Sequence, residues 1–318
     1  MGDPLLALLP TDAVTLDHAD ELLMFCGGAE VNTAIGVSRL GIPAGWLGRV
    51  GRDAVGRKII RTLTDEQVDT SLVVVDDDAR TGVYLREWLP DGVRRPYYYR
   101  GPSSGGARLS PDDWPRSWPP GLAVPTVLHV TGINSALSSS ADAAVHSMIS
   151  RARVAGAVIS VDPNYRPALW STAEAARTAL LELAAQADIL LLSEEDASLM
   201  YGSVDPRAVS AAADPVGRGP CVVLKCGARG AVVAVDGQVV PVPPAAATAL
   251  DPVGAGDGFN AGFLAATMRG ASPLDAARCG AWCGARAVEH LGESSGYPRL
   301  EQLPADIAAL LSVHEVSR

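Results

Sequence analysis

Short apolar segments alternate with longer amphipathic segments through the second half of the chain. Segments that are apolar at nearly every position predict strands buried on both faces, and segments with apolar residues at helical spacing predict the helices that cover them. The alternation therefore favours a parallel sheet between two layers of helices. The predicted strands are 127–130, 158–161, 189–192, 221–224, 231–235 and 239–242, and the predicted helices are 141–155, 173–185, 258–268, 273–290 and 304–311.

The first half shows the same alternation with one interruption. Strands are predicted at 46–50 and 72–75, and helices at 27–40 and 54–63. Residues 81–88 and 95–100 instead alternate apolar or aromatic residues with charged ones around a Pro-Asp-Gly turn, which is typical of a hairpin with one exposed face. We therefore predict a β-lid of residues 76–103, to which 5–25 can contribute. The α/β domain would then comprise residues 1–75 and 104–318.

Composition narrows the classes of function. The chain of 318 residues has 48% hydrophobic residues and a net charge of −10, which argues against nucleic-acid and anionic-membrane partners. No apolar run approaches the length of a membrane span. The five cysteines form no C-x-x-C pair, and Cys279 and Cys283 have no histidine nearby. Free thiols and the lack of a signal peptide indicate a cytoplasmic protein.

The stretch DPVGAGDGFNAGF at 251–263 carries the strongest chemical signal. Glycines before a predicted helix leave its first backbone N–H groups open to a phosphate. Asp257 lies where a carboxylate can take a proton from a hydroxyl beside that phosphate. The alternative, a glycine-rich loop that only turns the chain, fits the flanking residues less well.

Two further glycine motifs fall at ends of predicted elements. They are GGAEVN at 27–32, before a helix, and KCGARG at 225–230, after a strand. Ligands of parallel sheets bind beyond the carboxyl ends of the strands, where these motifs are expected to lie. Lys225 can also be read as an ordinary charge at the end of a strand, and Asn32 as a helix cap.

These three motifs resemble the two signatures and the nucleotide loop of the ribokinase (PfkB) carbohydrate kinases, over nearly the whole chain. Within that family the chain is most similar to the 2-keto-3-deoxygluconate kinases. The resemblance implies a three-layer α/β/α, ribokinase-like domain with a Rossmann-type, mostly parallel sheet and a small β-lid. It also implies transfer of a phosphoryl group from ATP, with Mg²⁺, to the terminal hydroxyl of a sugar or sugar acid.

The resemblance assigns roles residue by residue. Asp257 would be the general base, and the N–H groups of Gly254, Ala255 and Gly256 would form the anion hole. The predicted substrate-binding residues are Gly28, Ala29, Glu30, Val31, Asn32, Tyr84, Tyr98, Arg100, Ile133, Arg166 and Asp257. The predicted nucleotide-binding residues are Asn164, Arg166, Ser193, Lys225, Gly227, Ala228, Arg229, Gly230, Gly254, Ala255 and Gly256. Glycines 227 and 230 in particular are expected to lie close to a ligand.

Metal roles follow from the same resemblance. Where many relatives have N-x-x-E, this chain has Ser193-Glu194-Glu195-Asp196. The shorter Asp196 favours a water-mediated contact to Mg²⁺ over a direct one. Asp251 would help to hold a monovalent cation such as K⁺.

Two arginines favour an acidic substrate. A guanidinium can bind a planar carboxylate with two hydrogen bonds, and a neutral sugar uses it less fully. Arg100 on the lid is the sharper indicator, although it can also be a solvated strand charge. Arg166 can face phosphate instead.

A fructokinase or another PfkB sugar kinase, such as a 5-keto-2-deoxygluconate kinase, is the nearest alternative. A non-catalytic sugar-acid binding protein is the alternative from another class.

Two expectations concern the start of the chain and its assembly. Relatives begin with a strand that runs into a Gly-Glu pair, and Gly2-Asp3 would follow that strand here. Either translation starts further upstream or an inner strand is missing, which would leave unpaired backbone groups. The aromatic lid, with Trp88 and residues 97–99, predicts a homo-oligomer through the lids. The stereochemical preference between gluconate and galactonate forms has no signal in the sequence.

Overall fold

The computed structural model describes residues 1–12, 14–89, 94–114, 126–214 and 217–312. The strands are β1 (Leu5–Pro10), β2 (Leu22–Gly27), β3 (Gly48–Gly51), β4 (Val73–Asp76), β5 (Gly82–Trp88), β6 (Arg94–Tyr99), β7 (Val127–Thr131), β8 (Val158–Asp162), β9 (Ile189–Ser193), β10 (Cys221–Lys225), β11 (Ala231–Val235) and β12 (Gln238–Val242). The helices are α1 (Ala29–Arg39), α2 (Ala54–Asp65), α3 (Ile133–Leu137), α4 (Ser139–Val154), α5 (Ala173–Ala184), α6 (Glu194–Tyr201), α7 (Pro206–Ala212), α8 (Ala255–Met268), α9 (Pro273–Ala287) and α10 (Ala305–Leu310).

The main sheet has six strands in the order β12-β11-β10-β9-β8-β7. β7 to β10 are parallel, and β11 and β12 extend the sheet as an antiparallel hairpin. Alternate residues of β9 enter opposite cores. Leu190 and Leu192 pack with residues of α4 and α5, whereas Ile189 and Leu191 pack with residues of α8 and α9. The expected sheet with helices on both faces is therefore present, because strands apolar at every position can be buried on both sides.

The lid is a four-stranded sheet in the order β2-β1-β5-β6. The predicted hairpin is present, with Val83 opposite Tyr99 in antiparallel pairing. Its Pro90-Asp91-Gly92 turn lies outside the described residues. β1 pairs in parallel with β5 and antiparallel with β2, so residues of segment 5–25 belong to this sheet.

β3 and β4 pair separately from the main sheet. In the described part of the chain, Met1 and Gly2 lie between β3 and β7. The Gly2 N–H donates to the Leu47 carbonyl at 3.0 Å, and the Met1 ammonium donates to the His129 carbonyl at 3.1 Å. A cavity of about 440 Å³ lies at this junction, lined largely by apolar side chains of the segment before β3 and of β7, α1 and α8. The six-stranded main sheet and the β3-β4 pair are thus two separate blocks of strands.

Most predicted elements are observed with shifted ends. The helix predicted at 273–290 ends at Ala287, and α3 and α7 were not predicted because each is too short to show a helical repeat. Cys279 and Cys283 are buried free thiols in α9, as expected. Among the described residues, no helix is long and apolar enough to span a bilayer.

Candidate active site

The start of α8 forms the floor of the site. Gly254 caps the helix in the left-handed region with φ = 81°, and a side chain on it would collide with the Glu293 carbonyl. Above Gly256, by contrast, the nearest atom to an added Cβ is Lys225 Nζ at 3.8 Å. The Ala255 N–H donates to the Pro252 carbonyl at 3.3 Å, whereas the N–H groups of Gly254 and Gly256 have no hydrogen-bond partner among the described residues. The start of α8 therefore keeps N–H donors beside open space and a cation, which is an arrangement that binds phosphate.

Asp257 lies in this first turn and is 8% exposed. Asn32 Nδ2 donates to Asp257 Oδ2 at 2.9 Å. Burial raises the pKa of Asp257 to about 7, with Asp162 and Glu293 acting in the same direction and Asn32 and Arg166 opposing it. A carboxylate with a pKa near neutrality suits a general base. The structure thus brings together Asn32 and Asp257, two residues that the sequence singled out.

Glu293 is a buried acid that sequence reasoning missed. It accepts hydrogen bonds from the Tyr84 hydroxyl and, at 3.2 Å, from Asn32 Nδ2. Burial raises its pKa, although the bonds from Tyr84 and Asn32 act in the opposite direction. Its place in the segment Leu291-Gly292-Glu293, after α9, gives no local signal in the sequence. Asn32 therefore links two carboxyl groups, and Tyr84 connects the lid to them.

Lys225 is part of a buried polar cluster at the ends of β8 and β10. Its Nζ donates to Asp162 Oδ2 at 2.7 Å and to Asn260 Oδ1 at 3.1 Å, and Asn260 Nδ2 donates to the same Asp162 oxygen at 2.7 Å. Burial alone would raise the pKa of Asp162, but the Lys225 ammonium lowers it. Lys225 is therefore held beside the start of α8 and is not a free charge at a strand end. Asp162 and Asn260 were not among the predicted site residues.

Three predicted contacts to nucleotide or metal have other partners here. Ser193 and Asp196 form a capping box at the start of α6, in which Ser193 Oγ donates to Asp196 Oδ2 at 2.6 Å. The other oxygen, Asp196 Oδ1, accepts from the Tyr165 N–H at 2.9 Å. Asn164 has φ = 46° and is buried, and its Oδ1 has no hydrogen-bond partner among the described residues. Of these three, Asn164 alone keeps a buried polar atom available to a ligand.

The KCGARG loop owes its glycines to the fold. A Cβ on Gly230 would collide with the Val242 carbonyl, and Gly227 has φ = 58° with open space around it. The expectation that these glycines need a nearby ligand is thus replaced by close packing at one and backbone conformation at the other. Ala228 is exposed, and Arg229 is paired with Glu194 at the surface.

The GGAEVN motif begins α1, with Gly28 as its N-cap. Gly28 has φ = 116°, and an added Cβ would lie 2.5 Å from the Asp3 carbonyl. Ala29 and Val31 are buried. Glu30 does not face the site: it accepts hydrogen bonds from Thr131 at 2.6 Å and Asn134 at 2.9 Å. The motif therefore offers a ligand the Asn32 side chain and backbone N–H groups, and the contact of Glu30 to substrate stays a prediction for its backbone.

The two arginines predicted to bind a carboxylate differ sharply. Arg100 lies over the Tyr98 ring, and its Nη1 donates to Asp3 Oδ2 at 2.6 Å, both side chains being buried. Arg166 is exposed, and its described hydrogen bond goes to the Tyr165 carbonyl at 3.0 Å. Its charge lowers the pKa of Asp257. Arg166 is therefore the more available of the two for an anionic ligand.

The remaining predicted residues lie along the lid and its border. Tyr98 packs on Tyr84 with ring centroids 5.4 Å apart. Ile133 begins α3, where its N–H donates to Thr131 Oγ1 at 3.2 Å. Asp251, just before the glycine loop, is bound by Arg86 of β5.

Metal binding has little support from side chains alone. Among the described residues, no group of three or more His, Cys, Asp or Glu side chains could hold a metal ion. Mg²⁺ that enters with a nucleotide needs only one or two carboxylates in addition to phosphate oxygens and water. The metal role of Asp196 stays a prediction, and its three hydrogen-bond donors leave it little capacity for direct coordination.

Comparison with known proteins identifies similar sequences across the chain. The family described as pfkB family carbohydrate kinase matches residues 7–300. A 2-dehydro-3-deoxygluconokinase from Bacillus subtilis (strain 168) is 32% identical over 296 residues, which cover 91% of this chain and 88% of the relative. A fructokinase from Klebsiella pneumoniae is also 32% identical, over 310 residues, 95% of this chain and 96% of the relative. Sequence identity therefore does not separate the two substrates.

Solved structures share the fold. A fructokinase from Vibrio cholerae O395, solved in a fructose, ADP and calcium ion bound form, has a TM-score of 0.79 and 28% identity over 98% of this chain and 97% of its own. A double mutant of that fructokinase, in a fructose, ADP and potassium ion bound form, has a TM-score of 0.80 and 28% identity over 98% and 96%. The expected ribokinase-like α/β fold is thereby confirmed.

Proposed function

Since this chain belongs to the pfkB family of carbohydrate kinases, we propose that it phosphorylates the terminal hydroxyl of a sugar acid, 2-keto-3-deoxygluconate, with ATP as donor. The observation that carries the proposal is the position of Asp257. It is a buried carboxyl with a pKa of about 7, in the first turn of α8, next to open space above Gly256. A base that lies beside the anion-binding N-terminus of a helix is suited to the transfer of a phosphoryl group to a hydroxyl.

In the proposed reaction Asp257 accepts the proton of the attacking hydroxyl. Asn32 holds the Asp257 carboxylate through its Nδ2 and so fixes the direction of the accepting oxygen. The N–H groups of Gly254 and Gly256 stabilise the negative charge on the transferring group at the positive end of α8, whereas the Ala255 N–H, predicted as a third donor, is bound to the Pro252 carbonyl. Lys225, anchored by Asp162 and Asn260, adds a fixed positive charge beside them.

ATP and Mg²⁺ fit the residues present to different degrees. The space above Gly256 is suited to a phosphate chain, and the buried Oδ1 of Asn164, which is an acceptor, is suited to a hydroxyl or amino donor of the nucleotide. Mg²⁺ would be held mainly by phosphate oxygens and water, because the nearby Asp162 and Asp196 already accept several hydrogen bonds. When bound, the ion supplies charge neutralisation on the phosphates.

The choice of a sugar acid rests on Arg166. Its guanidinium is exposed and its charge lowers the pKa of Asp257, so a substrate carboxylate bound beside Asp257 can take up two of its N–H donors. One observation favours fructose as a second candidate. The charge of Arg100 is already matched by Asp3, so the lid offers less for a carboxylate than the sequence indicated.

A substrate panel tests the proposal. The purified chain is supplied with ATP and Mg²⁺ and with 2-keto-3-deoxygluconate, 2-keto-3-deoxygalactonate, 5-keto-2-deoxygluconate or fructose, and ADP release is followed by a coupled assay. The proposal requires the highest kcat/KM for a 2-keto-3-deoxy sugar acid. A higher value for fructose would make the chain a fructokinase. ADP release at background with every sugar would favour a non-catalytic binding protein.

We also propose a homo-oligomer through the lids. The strand register aligns Met24, Leu8, Leu85 and Tyr97 in one row, on the face of the lid opposite to Tyr84. Met24 is 57% exposed and Tyr97 is 37% exposed. An apolar row of this kind, open on a sheet face, is suited to cover by a second copy.

A further inference from the structure

Arg86 and Asp251 form a buried ion pair between the lid and the loop that precedes α8. Arg86 Nη1 donates to Asp251 Oδ1 at 3.1 Å, and Nη2 donates to Oδ2 at 2.6 Å. The side chains are 3% and 0% exposed. The two residues are 165 positions apart in the chain. The resemblance assigns Asp251 to a monovalent cation and gives Arg86 no role.

Both oxygens of Asp251 have a second donor as well. The Val253 N–H donates to Oδ1 at 3.1 Å, and the Gly292 N–H donates to Oδ2 at 3.2 Å. A carboxylate offers about four lone-pair sites, and four N–H donors take them here. The charge of the carboxylate is matched by a guanidinium, and its acceptor capacity is filled. Asp251 therefore does not fit the role of a ligand to a metal cation.

The position of this pair explains why a positive charge is needed there. Asp251 lies three residues before Gly254, whose backbone begins the anion hole. A buried negative charge without a partner would oppose the arrival of a phosphoryl group at the start of α8. The lid strand β5 supplies the compensation, because strand alternation directs Arg86 to the same face as Tyr84.

We propose that Arg86 is a built-in cation for the phosphate-binding loop, so that this kinase works without the exchangeable monovalent cation that the resemblance led us to expect at Asp251. The fructokinase from Vibrio cholerae, in contrast, was also solved in a potassium ion bound form. Arg86 acts through Asp251 and is a positioning residue. The inference rests on the proposed kinase activity only for its kinetic readout, because the stability of the chain reports on the same charge independently.

The first experiment needs no variant. Thermal unfolding of the wild-type chain, and its turnover with ATP and the preferred sugar, are measured in potassium, sodium and tetramethylammonium chloride at equal ionic strength. The inference predicts the same Tm and, within about twofold, the same kcat in all three salts, since Arg86 already supplies the charge. A Tm that rises by several degrees, or a kcat that rises several-fold, specifically in potassium would overturn the inference.

The second experiment removes and restores the guanidinium. Arg86→Ala should lower kcat about 100-fold, the size of effect seen when one stabilising group is removed from an anion hole, with a smaller change in KM for the sugar. Low-millimolar guanidinium chloride should restore part of the lost turnover and raise the Tm of the variant, whereas urea should do neither. Arg153→Ala is the matched control, because it also removes a part-buried guanidinium, one that pairs with Asp188 before β9, at the end of the sheet opposite to the site.

A folding failure of Arg86→Ala would leave the wild-type salt series and Arg86→Lys to decide. The lysine variant keeps the charge and loses the two-point contact, so it should fold and turn over slowly in every salt. Full wild-type kcat in a folded Arg86→Ala, or an equal effect of guanidinium on Arg153→Ala, would contradict the inference. If no sugar is phosphorylated, the proposed function fails, and the Tm responses to potassium and guanidinium still test Arg86.

Discussion

Asn32 and Asp257 are 225 positions apart in the chain, and the amide of Asn32 donates to the carboxylate of Asp257 at 2.9 Å. The same amide nitrogen also donates to Glu293 Oε2 at 3.2 Å. One side chain at the start of α1 thus holds two buried carboxyl groups that both have a raised pKa. This contact joins the proposed sugar-binding motif to the proposed base.

Replacing Asp257 by Asn keeps the size of the side chain and removes the proton acceptor. We expect kcat to fall by about 10²–10⁴-fold, the usual contribution of a positioned general base, with little change in Tm. The measurement is a coupled assay for ADP, with thermal unfolding beside it. Asp236→Asn, in the turn between β11 and β12, is the matched control and should keep wild-type turnover. Near-normal turnover in Asp257→Asn would remove Asp257 from the role of base.

The pH dependence of kcat/KM should report the titration of Asp257. Burial raises its pKa to about 7, and the base works only when deprotonated. Activity should therefore be retained above pH 7 and should fall about tenfold per pH unit well below it. The profile is measured at saturating ATP with the sugar varied. An acid limb centred near pH 4, the ordinary range of a carboxyl, would contradict the assignment.

Asn32→Leu provides the control for that profile. The hydrogen bond from Asn32 lowers the pKa of Asp257, so its loss should move the acid limb to higher pH. A purely structural role for Asn32 would lower activity at every pH without moving the limb.

Arg166 should determine the preference for an acid. Arg166→Ala removes an exposed guanidinium whose charge acts on Asp257, so KM for 2-keto-3-deoxygluconate should rise about tenfold or more, and KM for fructose should change little. Steady-state kinetics with both sugars measure the difference. Arg207→Ala, also exposed, is the control. Equal effects on both sugars would place Arg166 on phosphate rather than on the substrate carboxylate.

Arg100→Ala gives the contrasting case. The sequence predicts a selective rise in KM for the acid, whereas the buried pair with Asp3 adds a stability effect. Breaking a buried pair leaves one charge uncompensated and costs about 3–5 kcal/mol. Urea unfolding measures that loss, and the double substitution Arg100→Ala with Asp3→Asn should recover part of it. If Arg100→Ala were as stable as the wild type and had an unchanged KM for the acid, Arg100 would have neither the stabilising nor the substrate-binding role.

The lid contact between copies is tested by one charge. Met24→Lys places an ammonium in the apolar row of the lid and should shift the mass in solution from oligomer to monomer. Light scattering at micromolar concentration gives the mass. Val154→Lys is the control, because Val154 is exposed on α4, away from the lid. A monomeric wild-type chain would contradict the proposed assembly.

The sequence predicted what depends on local pattern. Fully apolar strands such as β9 can only be buried on both sides, and the glycines around Asp257 could be placed at a helix start before any fold was known. Both features are encoded within a few residues. The longer helices, the hairpin of β5 and β6 and the position of Asp257 at the start of α8 therefore agreed with expectation.

Long-range pairing was not accessible in the same way. Arg86, Glu293 and Asp162 are single charged residues in a strand, a loop and a strand end, and nothing near them in the chain names their partners. Arg100 was assigned to a ligand because no residue near it in the chain indicates its buried partner, Asp3, which lies 97 positions away. The choice between a ligand and a protein partner depends on tertiary contacts, which short motifs do not encode.

Two glycines at the start of α8 are required for different reasons, Gly254 for the fold and Gly256 for the proposed binding of phosphate. At Gly254, both the left-handed backbone and the adjacent Glu293 carbonyl forbid a side chain. At Gly256, a methyl group would meet only the end of a lysine. A saturation library should therefore return glycine alone at the first position under selection for mere expression. Residue 256 should tolerate substitution in that selection and should be limited to glycine only when growth depends on catalysis. Position 256 is therefore where substitutions can change the choice of phosphoryl donor without loss of the fold.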